Sequence, residues 1–322
     1  MSVVRPYRIV YFGMNGPLSR IPLSRLVASA LRPRLVIEGR TEEGRPSWVL
    51  RSKSPAKTPS SPSLEDIASD AGIDFIGTND ANSARVRARI RAAKPDALLV
   101  AGFPHLLSAE VLALSSKGGL NLHPGALPEE RGPAPIFWAL KDGRTRFTYT
   151  IHMLEVGEDT GDIVSTGTTD DCEGLSMREI LQQIAEGATP ALIQSLRALL
   201  EGDLVRHHQP NATIPTSRCP RPSFRDGLID PRRCAKDVFT FVRGCSEAHS
   251  LFVESGADRF FVRSASGYDS TGRLGFEYVL SGDRLYLKCD PGFVELELKK
   301  DGALFGAESA TVSSLPPTGS VL

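Results

Sequence analysis

Leu120-Asn121-Leu122-His123-Pro124-Gly125-Ala126-Leu127-Pro128, continued by Arg131-Gly132-Pro133-Ala134-Pro135 and closed by Glu158-Asp159-Thr160-Gly161-Asp162, is the stretch from which the rest of the chain can be read. It holds an amide, an imidazole and a carboxylate suited to acyl-transfer chemistry. Asn121 and His123 lie two apart at the end of an apolar run, so on an extended chain their side chains point the same way. Asp159 follows Asn121 by 38 positions, in a turn rich in glycine that can return its carboxylate to the other two.

Working outward, Arg8-Ile9-Val10-Tyr11-Phe12-Gly13 reads as a short buried strand. Apolar residues at helical spacing from Leu18 to Leu31 follow, then a second strand at Leu35-Val36-Ile37. Strand, helix, strand opens a doubly wound α/β sheet. No G-x-G-x-x-G follows the first strand, so a dinucleotide site has little support and the Gly13-Met14-Asn15-Gly16 turn reads as structural. Gly39 to Ser63 is rich in Pro, Ser and Thr and reads as a surface loop; its basic residues (Arg40, Arg45, Arg51, Lys53, Lys57) could grip phosphate, but a solvated loop is the plainer reading.

Leu64 to Gly72 suggests a helix capped by Ser63, with Asp66 at the third helical position. Ile73 to Ile76 is a strand, and Ser83 to Ala93 a helix whose alternate arginines make no single face, hence a solvated surface. Ala97-Leu98-Leu99-Val100-Ala101 is the most apolar strand and belongs at the sheet centre, with Gly102-Phe103-Pro104-His105-Leu106-Leu107 at its C-terminal end. A short helix at Ser108–Leu114 leads to Gly118-Gly119 and the central motif. Beyond it come a strand at Phe147–Met153, another from Gly161, and a long helix over Ser176–Leu200 containing Pro190.

Periodicity is lost between Gly202 and Ser223, where prolines gather; this predicts a linker. Short alternating strands then follow, at Phe260–Val262, Phe276–Val279, Leu285–Cys289 and Val294–Leu298, which suggest a small barrel. The expected domains are therefore 1–205, a linker at 206–224, and a β-rich domain at 225–322.

The 322 residues are 41% hydrophobic and 24% charged, ordinary for a soluble globular protein, with 38 Lys+Arg against 38 Asp+Glu. No global basic field advertises a nucleic-acid partner. The N-terminus lacks a signal-peptide pattern and no run approaches a membrane span, so a cytoplasmic protein is expected. Five dispersed cysteines without a Cys-x-x-Cys pair favour reduced thiols over a disulfide frame or a metal site.

The Asn-x-His-Pro, Leu-Pro, Arg-Gly, Pro-Ala-Pro-Ile and Asp-Thr-Gly-Asp-Ile pieces, in this order and spacing, resemble the formyltransferases that use 10-formyltetrahydrofolate. The resemblance is strongest over 97–163 and weaker after 225. It implies a Rossmann-like formyltransferase domain followed by a small OB-like β-barrel, with 10-formyltetrahydrofolate as co-substrate and no metal. It implies Asn121, His123 and Asp159 as catalytic residues. It also implies a folate pocket formed by Phe103, His105 and Leu107, by Gly125, Ala126, Leu127 and Pro128, and by Val156, Gly157 and Glu158. For Phe103, plain core packing is the competing reading. Asp162 is expected to hold its loop. Two departures stand out: many relatives have Ser after the His-Pro step, where this chain has Gly125, and Glu129-Glu130 replaces basic or aromatic residues, which is expected to change the charge at the pocket mouth.

Formyl transfer needs an amine to attack a carbonyl carbon, an oxyanion to be stabilised, and protons to be moved. An Asn amide can donate to the oxyanion. An imidazole can share that role or shuttle protons, and a carboxylate can orient it and help deprotonate the amine. The expected acceptor is a small-molecule amine, such as an amino sugar, a natural-product amine or an aminoacyl unit. Methionyl-tRNA is the first alternative and a folate-binding relative without turnover the second. From Arg225 onward there are 12 Lys+Arg against 14 Asp+Glu, a net of −2, whereas a domain that grips tRNA phosphates should be basic.

Overall fold

The first strand, β1 (Ile9–Gly13), is buried along its whole length, as its unbroken apolar run requires for a strand covered on both faces. In the computed structural model, which describes residues 6–40, 61–209 and 218–299, it is flanked by two equally buried strands, β2 (Leu35–Gly39) and β4 (Ala97–Ala101). The remaining strands of this sheet are β3 (Asp74–Thr78), β5 (Gly119–His123), β6 (Thr148–Met153) and β7 (Ile163–Thr168). Their order is β3-β2-β1-β4-β5-β6-β7; the first five run parallel, and β6 and β7 are antiparallel. This is the doubly wound, Rossmann-like sheet. Its order reverses between β1 and β4, which is where open α/β sheets leave a crevice beyond the strand ends.

Helix α1 (Pro17–Val27) starts at a proline, whose missing N–H costs nothing at that position. Its buried Ser19 ties the ends of β1 and β4 together: the hydroxyl donates to Ala101 O and accepts from Met14 N at 3.0 Å. A Cβ on Gly13 would lie 2.8 Å from Ser19 Cβ, so Gly13 permits close helix packing. Helix α2 (Leu64–Asp70) has a full capping box from Ser63 and Asp66. Helix α3 (Ala84–Ala93) buries Val86 and Ile90, one turn apart, and leaves Arg85, Arg89 and Arg91 exposed. After the short α4 (Ala109–Leu112) and α5 (Pro135–Lys141), helix α6 (Met177–Glu201) runs unbroken through Pro190, capped by Ser176 and Glu179 at one end and Gly202 in the left-handed region at the other. Most of the proline-rich stretch after Gly39, with Arg45, Arg51, Lys53 and Lys57, lies outside the described residues.

The chain divides into two compact units, one of residues up to 139 with 145–222, the other of 140–144 with 223 onward. In the second unit, α7 (Ala235–Cys245) precedes β8 (Leu251–Ser255), β9 (Asp258–Asp269), β10 (Tyr278–Ser281), β11 (Arg284–Lys288) and β12 (Phe293–Leu298). These form a curled antiparallel half-barrel in the order β10-β11-β12-β9-β8. Register shifts between β12 and β9, at Glu295/Leu296 and Glu297/Leu298, supply the local bending a curled sheet needs. Among the described residues no helix is long and apolar enough to cross a membrane.

Candidate active site

Asn121 and His123 end β5 on one face, and the antiparallel pairing with β6 places His152 directly opposite Asn121 and Thr150 opposite His123. Asp159 arrives from the turn after β6. That turn needs Gly161, because a Cβ there would sit 2.0 Å from Met153 O. Asp159 itself has φ of +55°, a left-handed conformation that Asp tolerates better than most residues.

The three predicted groups meet. Asn121 Nδ2 donates to Asp159 Oδ1 at 3.3 Å and lies 3.0 Å from His152 Nε2. His123 Nδ1 is 3.5 Å from Asp159 Oδ2, and His152 Nε2 is 3.4 Å from Asp159 Oδ1. The Gly132 N–H donates to Asp159 Oδ2 at 2.9 Å. Asp159 thus sits at the centre of two imidazoles, an amide and a main-chain donor.

His152 Nδ1 lies 2.9 Å from Met153 O, and its Nε2 faces both Asn121 Nδ2 and Asp159 Oδ1. His123 Nε2 is 2.7 Å from Glu130 O, an acceptor, which in the neutral ring makes Nε2 the protonated nitrogen and leaves Nδ1 toward Asp159. Burial lowers the His123 pKa, Asp159 raises it and His152 lowers it again; the net shift is downward and the ring rests neutral. For Asp159, burial pushes the carboxyl up, but His123, His152 and the Gly132 N–H outweigh it and hold it at about 2. A neutral imidazole facing an ionised carboxylate is an acceptor pair, ready to take one proton between them.

Glu130 corrects the expected charge at the pocket mouth. Its side chain is only 7% exposed and turns inward, where Oε2 accepts from Ala126 N at 2.7 Å; only Glu129 faces solvent. The Gly125–Pro128 segment is closed by Thr150, whose hydroxyl donates to Gly125 O at 2.7 Å and accepts from Leu127 N at 3.3 Å. Leu127 is buried, and the main chains of Gly125 and Ala126 are bonded to the Thr150 and Glu130 side chains.

Phe103 is half-buried, edge-on to Phe12 at 5.2 Å, and packs with Leu107 and Leu154 against the core cluster below the switch point. His105 is edge-on to Phe103 at 5.4 Å, with Nε2 3.1 Å from Arg40 O. Val156 is exposed, Gly157 has φ of +134°, and Glu158 is ion-paired with Arg218 at 2.6 Å. Asp162 accepts from His208 Nδ1 at 3.1 Å, and its carbonyl takes the Met153 N–H at 2.9 Å, so it does hold the loop. A cavity of about 590 Å³ opens at the other end of the sheet, lined by Arg32, Arg34, Asp74 and Arg89 among others, and touches none of these groups.

Residues 37–196 match the family model described as Formyl transferase. The chain belongs to that family. This formyltransferase is 28% identical over 267 residues to the methionyl-tRNA formyltransferase of Desulfotalea psychrophila, covering 82% of this chain and 79% of that one. It is 25% identical over 305 residues to the methionyl-tRNA formyltransferase of Chlorobium phaeovibrioides, covering 93% and 92%. Among solved structures, the N-formyltransferase from Helicobacter canadensis in complex with folinic acid and dTDP-3-aminofucose superposes with a TM-score of 0.63 at 14% identity, over 90% of this chain and 98% of that one.

Two polar residues of the candidate site, His152 and Gln209, were not singled out from sequence, and Glu130 was read there only as a charge at the pocket mouth. His152 sits in a run of β-formers, and only the register of β6 on β5 reveals that it faces Asn121. A histidine two residues from a β-branched alternation, one strand on from Asn-x-His, was the available signal.

Proposed function

We propose that this protein moves the formyl group of 10-formyltetrahydrofolate to a primary amine, with Asn121, His123 and Asp159 as the catalytic residues. The observation that carries this reading is the convergence of the Asn121 amide, the His123 Nδ1 and the His152 Nε2 on one Asp159 carboxylate at the C-terminal end of β5. Ligands of open α/β sheets bind at that end. Half-buried Phe103, Leu107 and Leu154 offer apolar surface for a pterin beside it, and the Gly125–Pro128 and Val156–Glu158 turns are the expected remainder of the pocket. The folate co-substrate supplies the activated formyl group.

Asn121 donates to the oxygen on which negative charge develops; its bond to Asp159 is the longer of its two, at 3.3 Å, and is the hydrogen available for sharing. Asp159 draws the proton from the attacking amine, directly or through water, and His123 Nδ1 takes it on and returns it to N10 of the folate as the bond from N10 to the formyl carbon breaks and tetrahydrofolate leaves. Glu130 O fixes the His123 ring so that this nitrogen faces inward.

The acceptor we propose is a small-molecule amine. The net charge of −2 from Arg225 onward supports it, since a phosphate-gripping domain would carry a basic excess. Sequence similarity favours methionyl-tRNA at least as strongly: the relatives that act on it, by name, align over as much as 93% of this chain. Incubation with 10-formyltetrahydrofolate and, separately, charged methionyl-tRNA, nucleotide-linked amino sugars and aminoacyl derivatives decides between them. Tetrahydrofolate release with one small amine supports the first acceptor; release with methionyl-tRNA alone supports the second. Folate binding without release in any arm would leave a relative that no longer formylates.

A further inference from the structure

The carboxylate at the centre of the site stands on a turn whose main chain is held from outside. After α6 the chain comes back along β7: Ile163 N donates to His207 O at 2.8 Å and His207 N to Ile163 O at 2.7 Å. Two residues on, Gln209 is 2% exposed, a polar side chain enclosed by protein. Its Nε2 donates to Asp159 O at 3.0 Å and to Gly161 O at 2.6 Å, and its Oε1 accepts from Arg131 Nε at 3.1 Å and from Arg131 Nη2. Both amide hydrogens and the carbonyl oxygen are engaged, so the amide cannot flip without facing carbonyls with its oxygen and a guanidinium with its NH2.

These bonds close a ring. Arg131 holds Gln209, Gln209 holds the Asp159 main chain, the Asp159 carboxylate accepts from Gly132 N, and Gly132 is the residue next to Arg131. Cys219 N donates to Arg131 O at 2.7 Å and fastens the same dipeptide from the strap that follows. We infer that Gln209 is a positioning residue for formyl transfer: it fixes Asp159 against His123 and Asn121 by gripping the main chain of the Asp159 turn, with Arg131 fixing Gln209. The inference rests on Asp159 taking part in the transfer.

The geometry explains why the device is needed. Asp159 is in the left-handed region, between Gly157 and Gly161, in a turn that forms no ladder of its own. A glycine-flanked turn has many accessible conformations, and a reacting group displaced by about 1 Å can lose about 100-fold in rate. A buried amide bonded to two carbonyls of that turn removes the freedom at a point next to the reacting side chain.

Gln209→Met keeps the bulk and removes every hydrogen bond; Gln209→Glu keeps an acceptor for Arg131 and removes the donors. The primary readout is the ring-nitrogen NMR titration of His123 in the full-length protein without ligand, since among the groups that raise its pKa Asp159 acts most strongly. The inference predicts that Gln209→Met, which adds no charge, titrates His123 at lower pH than the parent. With methionyl-tRNA or a nucleotide-linked amino sugar, whichever the parent uses, kcat falls about 10- to 100-fold while KM for the folate stays within about threefold. A lowered Tm with an unchanged His123 titration in Gln209→Met would assign Gln209 to stability alone and overturn the inference. Wild-type turnover in Asp159→Asn would instead overturn the catalytic reading, and the His123 titration would still report whether Gln209 sets Asp159.

Discussion

Gly125 lies against the His123 ring so closely that a Cβ there would be 2.7 Å from His123 Nε2, 2.9 Å from Pro135 Cβ and 3.1 Å from Glu130 Cβ. The ring orientation that turns Nδ1 toward Asp159 therefore depends on a missing side chain. Gly125→Ala is expected to cost about 1–3 kcal/mol by overpacking and to lower turnover at least about 10-fold, read by thermal unfolding and tetrahydrofolate release. Parent values in both would show that the ring does not need the space.

Glu130 is the second half of that arrangement. Its carboxylate closes the loop on Ala126 N while its carbonyl holds His123. Glu130→Leu leaves a main-chain N–H without its acceptor and should destabilise by about 1–3 kcal/mol; Glu130→Gln keeps an oxygen there and should recover most of the loss. If Glu130 were merely a surface charge, neither change would move the unfolding midpoint.

Asp159 makes a prediction in pH. Its folded pKa of about 2 lies below the ordinary carboxylate value, so its contribution to stability is complete above about pH 4 and is lost as pH falls toward 2. The shift corresponds to about 2 kcal/mol. His123, also lowered, adds a loss of stability that begins as pH drops below its ordinary value near 6.5, because the unfolded chain takes the proton first. In Asp159→Asn the His123 pKa should fall further, and acid unfolding should begin without the step between pH 4 and 2. Denaturant titrations across pH 2–8, with His123 followed by NMR, check both.

Asn121→Ala removes the donor opposite His152. Turnover is expected to fall about 10²–10³-fold with folate KM little changed, since the donor acts on charge that develops during reaction. An equal rise in KM with kcat unaltered would place Asn121 in ground-state binding.

The parallel sheet was legible because β1, β2 and β4 are built on short apolar runs, and α2 was legible from its Ser63 cap with Asp66 three residues on. The meeting of Asn121, His123 and Asp159 was legible from their spacing within a known pattern. His152 and Gln209 were not, because their roles depend on strand register and on a segment returning from beyond α6, which local sequence does not encode. Glu130 was read as a mouth charge because adjacent glutamates usually both face water; only the loop's inward turn separates it from Glu129. β8 was missed as a strand, and β9 proved longer than its apolar core suggested.

The most direct measurement is single-turnover release of tetrahydrofolate from 10-formyltetrahydrofolate across the panel of amines, comparing the parent with Asn121→Ala and Asp159→Asn, both confirmed as folded. The account predicts that one amine supports release in the parent, with product carrying the formyl group, and that release collapses in both variants. Amine-dependent release that persists at the parent rate in Asp159→Asn would contradict it.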